Sequence, residues 1–229
     1  MPGLNRLQKN LQQEVEKQTR KAEQRREKVE RLSMRIMMTL AETIDAKDKY
    51  TNGHSLRVAG YAREIARRAG KSKQEQKEIY FIGLLHDIGK IGIPNTIINK
   101  SSGLTEEEYE IMKDHPQIGA DILENMTEIP GLAVGARWHH ELYDGTGYPD
   151  GLKGENIPEI ARLIGVSDAY DAMTSKRSYR DVMSQERVKE ELKKGRGTQL
   201  DPYYADIMLQ MVEEDTEYRM CARDAIQTR

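Results

Sequence analysis

From Met34 onward, apolar positions recur at the three-to-four spacing of helices. Val58, Tyr61, Ala62, Ile65 and Ala66 form one stripe, which predicts a helix over about 53–69 with Gly70 at its C-terminus. Ser72 suits the N-cap of a second helix, over about 73–87, that turns Ile79, Ile82 and Leu85 inward. Thr105 and Glu108 match a capping box, which starts a third helix ending near His115-Pro116. Further helices are expected over 117–126 and 132–142, and again over 158–174, 184–194 and 202–214. Between 143 and 157 the pattern is broken by Asp144-Gly145, Gly147, Pro149, Asp150-Gly151 and Gly154, the composition of a long, turn-rich loop. No segment alternates in the manner of a strand and no repeat is found, so the fold class is all-α.

Residues 1–33 read differently. After Pro2 and Gly3 they contain no helix breaker, and Gln, Glu, Lys and Arg dominate. Leu4, Leu11 and Leu32 occupy one heptad position, and Val15, Ala22, Val29 and Ile36 the other, with Gln18 and Arg25 interrupting the first series. A polar helix this long needs a partner or a neighbour to be stable. It is either a coiled-coil connector from an upstream sensor module, paired across a homodimer, or a solvated single helix that frays. The expected organisation is thus a helical connector over 1–33 and a helical domain over 34–229.

Composition narrows the class. Charged residues make up 32% of the chain and aromatics 6%, which favours a helical protein with a solvated surface over a β-sandwich. With 36 basic and 38 acidic residues there is no domain-wide basic excess, and hence no argument for binding a nucleic acid polymer. The one cysteine, Cys221, excludes an intramolecular disulfide and fits a reducing compartment. Nothing approaches 18 consecutive apolar residues, and the N-terminus is charged rather than signal-like. The expectation is a cytoplasmic chain without membrane contact.

All five histidines stand in contexts that suit metal ligation: His54, His86 beside Asp87, His115 before Pro116, and the pair His139-His140. Asp168 and Asp171 add anionic groups downstream. The imidazoles at 54, 86, 115 and 139 are separated by 32, 29 and 24 residues, far beyond the spacing of a zinc finger. Such ligands must be gathered from several helices. On an ideal helix His139 and His140 would diverge by about 100°, so they share a site only if an ion lies between them or the helix ends there. Lys90, three residues after Asp87, faces roughly the same side as that ligand. Arg177 and Arg180 are spaced to form a pair of guanidinium forks. The loop over 141–154 is either a lid or wall beside the ligands or a plain surface turn.

These residues carry a resemblance. Lys47-Asp48-x-Tyr-Thr-x-Gly-His54-Ser, His86-Asp87-Ile-Gly-Lys90, Leu104-Thr105 with His115-Pro116, His139-His140-Glu141-x-x-Asp144-Gly-x-Gly147-Tyr148-Pro149 and Asp168-x-x-Asp171-Ala-Met-Thr-Ser-x-Arg177-x-Tyr-Arg180 follow in order. The series ends on Gly197-Thr198-Gln199-x-Asp201-Pro202, and across residues 40–205 it closely resembles the HD-GYP family. That family belongs to the helical HD superfamily of metal-dependent phosphohydrolases. Its usual reaction is hydrolysis of the bacterial second messenger cyclic di-GMP to pGpG and sometimes GMP.

The resemblance implies an HD-superfamily bundle with two metals in its core. One would take His54, His86, Asp87 and Asp168, the other Asp87, His115, His139 and His140, with Asp87 bridging. Tyr50 stands where some members have a Glu that helps to hold a third metal, which points to two. His86, Asp87 and Lys90 would be catalytic, while Lys90, Tyr148, Asp171, Arg177 and Arg180 would contact substrate. A nitrogen-rich, thiolate-free, carboxylate-bridged set suits six-coordinate iron or manganese, with nickel and zinc as alternatives. Two other readings stay open at this stage. One is a hydrolase of another nucleotide. The other is a receptor of cyclic dinucleotides, or an iron-based redox or oxygen sensor, with little turnover.

Overall fold

The computed structural model describes residues 2–48, 52–175 and 182–221. Ten helices are found among them: α1 (Pro2–Lys47), α2 (His54–Arg68), α3 (Lys73–Leu85), α4 (Asn95–Ile98), α5 (Glu106–Met112), α6 (His115–Leu123), α7 (Gly131–Trp138), α8 (Glu159–Thr174), α9 (Gln185–Gly195) and α10 (Pro202–Glu214). Two short 3₁₀ turns, Ile88–Gly92 and Gly154–Asn156, complete the set, and no strand is present among the described residues. The fold is all-α, and none of its helices is long and apolar enough to cross a membrane. Tyr50, Arg177 and Arg180 lie outside the described residues.

The chain divides into two compact units, one ending at Thr39 and the other beginning at Leu40. The first unit is the greater part of α1. Its apolar side chains Leu11, Val15, Val29, Leu32 and Ile36 are each more than half exposed. Pairs such as Gln18 to Glu14 and Arg31 to Glu27 lace its surface at one-turn spacing.

In the second unit the predicted stripes form the core. Val58, Ala62, Ile65 and Ala66 of α2 are fully buried, and Ile79, Ile82 and Leu85 of α3 lie against the interior. Burying each large aliphatic side chain stabilises the fold by about 1.5–3 kcal/mol. Gly83 lets α2 and α3 close up, since a Cβ there would stand 2.7 Å from the Ala59 Cα. The caps expected at Ser72 and Thr105 are both present as reciprocal boxes. Ser72 accepts from the Glu75 amide and Glu75 from the Ser72 amide; Thr105 and Glu108 do the same.

Three boundaries differ from expectation. The helix opened by Thr105 stops at Met112, and His115-Pro116 begins α6 instead of ending a helix. Proline fixes the following segment because it is tolerated in a first helical turn, where its missing N–H is not needed. The third helix of the core, α7, stops at Trp138 rather than 142, leaving His139 and His140 at its end. The second helix yields after Leu85 to a 3₁₀ turn that carries Lys90.

Candidate metal centre

Each imidazole enters the centre from a helix end. His54 opens α2, whose N-cap Gly53 sits at φ 71° and has no side chain to satisfy the first amides. Asp45, in the last turns of α1, supplies that group from across the gap. Its Oδ1 accepts from Ser55 Oγ at 2.6 Å and its Oδ2 from the Ser55 amide at 3.2 Å. His86 and Asp87 follow α3, His115 opens α6, and His139-His140 close α7. Asp168 comes from the middle of α8.

Two segments of this assembly are drawn together by one close backbone approach. At Gly89 a Cβ would fall 1.9 Å from the His115 carbonyl oxygen and 2.5 Å from the Gly119 amide nitrogen. Only glycine lets the turn after His86-Asp87 lie on the start of α6.

Asp87 is the centre of the arrangement. Its Oδ2 faces His54 Nε2 at 3.4 Å and His86 Nε2 at 3.5 Å, while Oδ1 faces His115 Nε2 at 3.3 Å and His139 Nε2 at 3.7 Å. Asp168 Oδ1 lies 3.5 Å from His54 Nε2. The imidazole nitrogens oppose each other in pairs, His54 to His86 at 3.3 Å and His115 to His139 at 3.4 Å. Donor atoms bound about 2.1 Å from one ion stand roughly 3–3.5 Å apart, so these separations fit ligands around a cation. Two clusters result, His54-His86-Asp87 and Asp87-His115-His139-His140, with Asp87 common to both.

Behind the cluster, the other ring nitrogens are tied down. His54 Nδ1 pairs with Asp171 Oδ2 at 2.8 Å, and His86 Nδ1 donates to the Gly83 carbonyl at 2.8 Å. His115 Nδ1 donates to the Met112 carbonyl at 2.7 Å, and His139 Nδ1 to the Ala136 carbonyl at 2.9 Å. These four rings therefore present Nε2 forward, the arrangement that orients metal-binding histidines.

The electrostatics divide the site. Burial disfavours a charged His54, yet Asp171, Asp87 and Asp168 outweigh it and raise this imidazole to about 10, so that side of the cluster favours positive charge. Burial and neighbouring imidazoles push His139 well down and His140 to about 3, leaving both as neutral lone-pair donors. Burial opposes the charge on Asp87, but Lys90 and the imidazoles around it hold its carboxyl well below the usual range. Lys90 Nζ lies 2.6 Å from Asp87 Oδ2.

The centre opens into a cleft of about 520 Å³. Lys90, Tyr148, Asp48, Lys100, Tyr143 and Gln199 are among the residues that line it. Tyr148 stacks on His140 with ring centroids 4.8 Å apart. Asp171, expected to touch substrate, is corrected by its surroundings. It is 1% exposed, and its two oxygens are taken by His54, Arg57 and Ser175, which places it behind a ligand instead of in the cleft.

The loop after His140 is fastened at several points. Glu141, 6% exposed, accepts from the Asp150 amide at 2.7 Å and the Leu152 amide at 2.9 Å. Asp150 in turn receives Trp138 Nε1 at 2.7 Å and Arg137 at 3.2 Å. Gly147 has no room for a Cβ, which would meet the Leu142 nitrogen at 2.2 Å. This is a fixed wall. Asp45, Arg57 and Glu141 are supporting residues to which the sequence pattern assigned no role. Arg57, one turn after His54, had the clearest signal of the three.

Comparison with known proteins agrees with this architecture. Residues 38–203 match the HD domain family, and the chain belongs to it. Within that family its ordered His, Asp and Gly-Tyr-Pro signature is that of the HD-GYP group. The chain is 40% identical over 174 residues to a cyclic di-GMP phosphodiesterase of Thermotoga maritima, covering 75% of this chain and 47% of the relative. It is 34% identical over 185 residues to 3'3'-cGAMP-specific phosphodiesterase 2 of Vibrio cholerae, covering 80% of this chain and 35% of the relative. The chain thus spans half or less of the length of these relatives. Among solved structures, a cyclic GMP-AMP specific phosphodiesterase of V. cholerae superposes with a TM-score of 0.61. It is 20% identical and aligns over 80% of this chain and 49% of that one, a likeness of fold.

Proposed function

We propose that the chain is a phosphodiesterase that opens a cyclic dinucleotide, with cyclic di-GMP as substrate and pGpG or GMP as product. The observation that carries the reading is Asp87, whose two oxygens face two separate groups of imidazoles at 3.3–3.7 Å. A bridging carboxylate between two nitrogen-rich sets is what a binuclear hydrolase requires. His54, His86, Asp87 and Asp168 would hold one divalent ion and Asp87, His115, His139 and His140 the other, with iron or manganese the best match to the donors. When bound, such a pair supplies an activated water and neutralises charge on the phosphoryl oxygens.

The protein's own groups do the rest. Asp171 and Arg57 hold the His54 ring with Nε2 forward. Lys90 carries a positive charge at the cleft edge beside Asp87, suited to a phosphate oxygen. Tyr148, stacked on His140, offers an aromatic wall for a nucleobase. Arg177 and Arg180 would supply guanidinium forks to phosphate or guanine. The exposed seam of Leu11, Val15, Val29, Leu32 and Ile36 supports pairing of α1 with a second copy, as a connector from an upstream sensor module in the cytoplasm.

A second reading is favoured by the relatives that bear the name 3'3'-cGAMP-specific phosphodiesterase: the mixed dinucleotide in place of cyclic di-GMP. One experiment separates them. Protein loaded with Mn²⁺ or anaerobic Fe²⁺ is incubated with each dinucleotide and the products are resolved by chromatography. Linear product from cyclic di-GMP at the higher kcat/KM supports the first reading, and preference for the mixed dinucleotide supports the second. Intact substrate with tight binding would turn the reading to a receptor.

A further inference from the structure

We propose that Lys47 is a positioning residue for the centre, whose ammonium fixes the turn that presents Lys90. The inference rests on the reading of Lys90 as a phosphate contact. Lys47 closes α1, and its Nζ donates to three backbone carbonyls, Lys90 at 2.8 Å and Ile91 at 2.7 Å within the turn after Asp87 and Ile93 at 2.7 Å just beyond it. An ammonium has three donors and no acceptor, so these three oxygens use its full capacity.

The turn needs such a partner. Ile88–Gly92 is a single 3₁₀ turn, and a piece this short leaves its last carbonyls with few amides to meet them. On one side Gly89 lies directly on the backbone of α6. On the other, the Lys47 ammonium gathers the carbonyls into one cradle. Its own backbone is held as well, because Asn99 Nδ2 donates to the Lys47 carbonyl at 2.9 Å.

Held from both sides, Lys90 has its Nζ 2.6 Å from Asp87 Oδ2, at the edge of the cleft. His86 is anchored separately, through the Gly83 carbonyl. Loss of the Lys47 ammonium therefore frees Lys90 while His86 keeps its own anchor. Lys47 itself takes no part in chemistry.

The test uses the Mn²⁺-loaded full chain and the variants Lys47→Met, Lys90→Met and the double. Backbone hydrogen exchange in Lys47→Met is expected to rise several-fold over residues 88–93 and to stay unchanged in α2 and α8, with metal content retained. The kcat/KM for the dinucleotide is expected to fall about ten- to a hundredfold. Added to Lys90→Met, the second change should cost no more than about twofold, because both act through one group. Unchanged exchange over 88–93 overturns the clamp, and fully additive losses overturn its action through Lys90. If Lys47→Met does not fold, Lys47→Gln replaces it, and wild-type exchange over 88–93 in that variant overturns the proposal equally. If the wild type opens no cyclic dinucleotide, the proposed function fails and the exchange measurement alone decides the clamp.

Discussion

Asp171 Oδ2 lies 2.8 Å from His54 Nδ1, and that contact decides which edge of the imidazole faces the cluster. Arg57 grips the same carboxylate through Nε at 2.6 Å, so the acceptor is itself immobile. Outer groups of this kind typically carry about 10–100-fold in metal affinity. Asp171→Ala is therefore expected to weaken metal retention by about that factor, although Asp171 would touch no ion. Titration with a competing chelator measures it. Wild-type retention would remove Asp171 from the support of the site.

The opposed shifts of His54 and His140 predict how the metal-free protein responds to pH. His54 is raised from 6.5 to about 10, so its contribution is complete below pH 6.5 and disappears as the pH climbs toward 10. His140 is lowered from 6.5 to about 3, so its contribution is present above pH 6.5 and is lost as the pH falls toward 3. Chelator-stripped protein should accordingly be most stable near pH 6.5 in denaturant unfolding. If His54 is a metal ligand as proposed, a bound cation would take the place of its proton, and metal should flatten the alkaline limb. An alkaline limb of equal slope with and without metal would contradict the assignment of His54 as a ligand.

The parts of this architecture that were legible in the sequence are those set by local chemistry. Ser72 as an N-cap and Thr105 with Glu108 as a capping box marked helix starts because capping is a short-range device, and the structure adds Glu75 as the partner of Ser72. The stripe from Val58 to Ala66 marked a buried face because its period is that of the helix. His115-Pro116 misled because proline stops one helix and starts another with equal ease. Asp171 was misplaced for a different reason. The resemblance implied a substrate contact, but the packing of α8 against α2 turns Asp171 to the rear of His54. Asp45 reaching Ser55, and Lys47 reaching three carbonyls near residue 90, depend on tertiary placement that no periodicity encodes.

Gly89→Ala should damage both halves of the cluster at once. The added Cβ would overlap the His115 carbonyl at 1.9 Å, and the atoms it meets are backbone atoms that cannot swing away. The turn after Asp87 and the start of α6 must part, which separates Asp87 from His115. Overpacking of this type costs about 1–3 kcal/mol or more. The expected outcome is a lowered unfolding midpoint together with metal content below wild type. A variant of normal stability with full metal would show that the contact is not what joins the two halves.

Glu141 provides the most selective probe of the loop. Each of its two oxygens accepts one backbone amide, from Asp150 and from Leu152. Glu141→Gln keeps the shape but has a single acceptor, so its NH₂ must face one of those amides, donor against donor. A lost charge-assisted bond in a buried place costs about 1.5–3 kcal/mol. The stretch from Tyr148 to Leu152 should loosen, and the stacking of Tyr148 on His140 with it. The rings of His86, His115, His139 and His54 are anchored elsewhere, through Gly83, Met112, Ala136 and Asp171, so most of the metal content should hold. The measurable pattern is faster proteolysis or hydrogen exchange over 148–152 and a raised KM with most of the metal retained. A loss of metal in step with activity would instead make Glu141 part of the centre's scaffold.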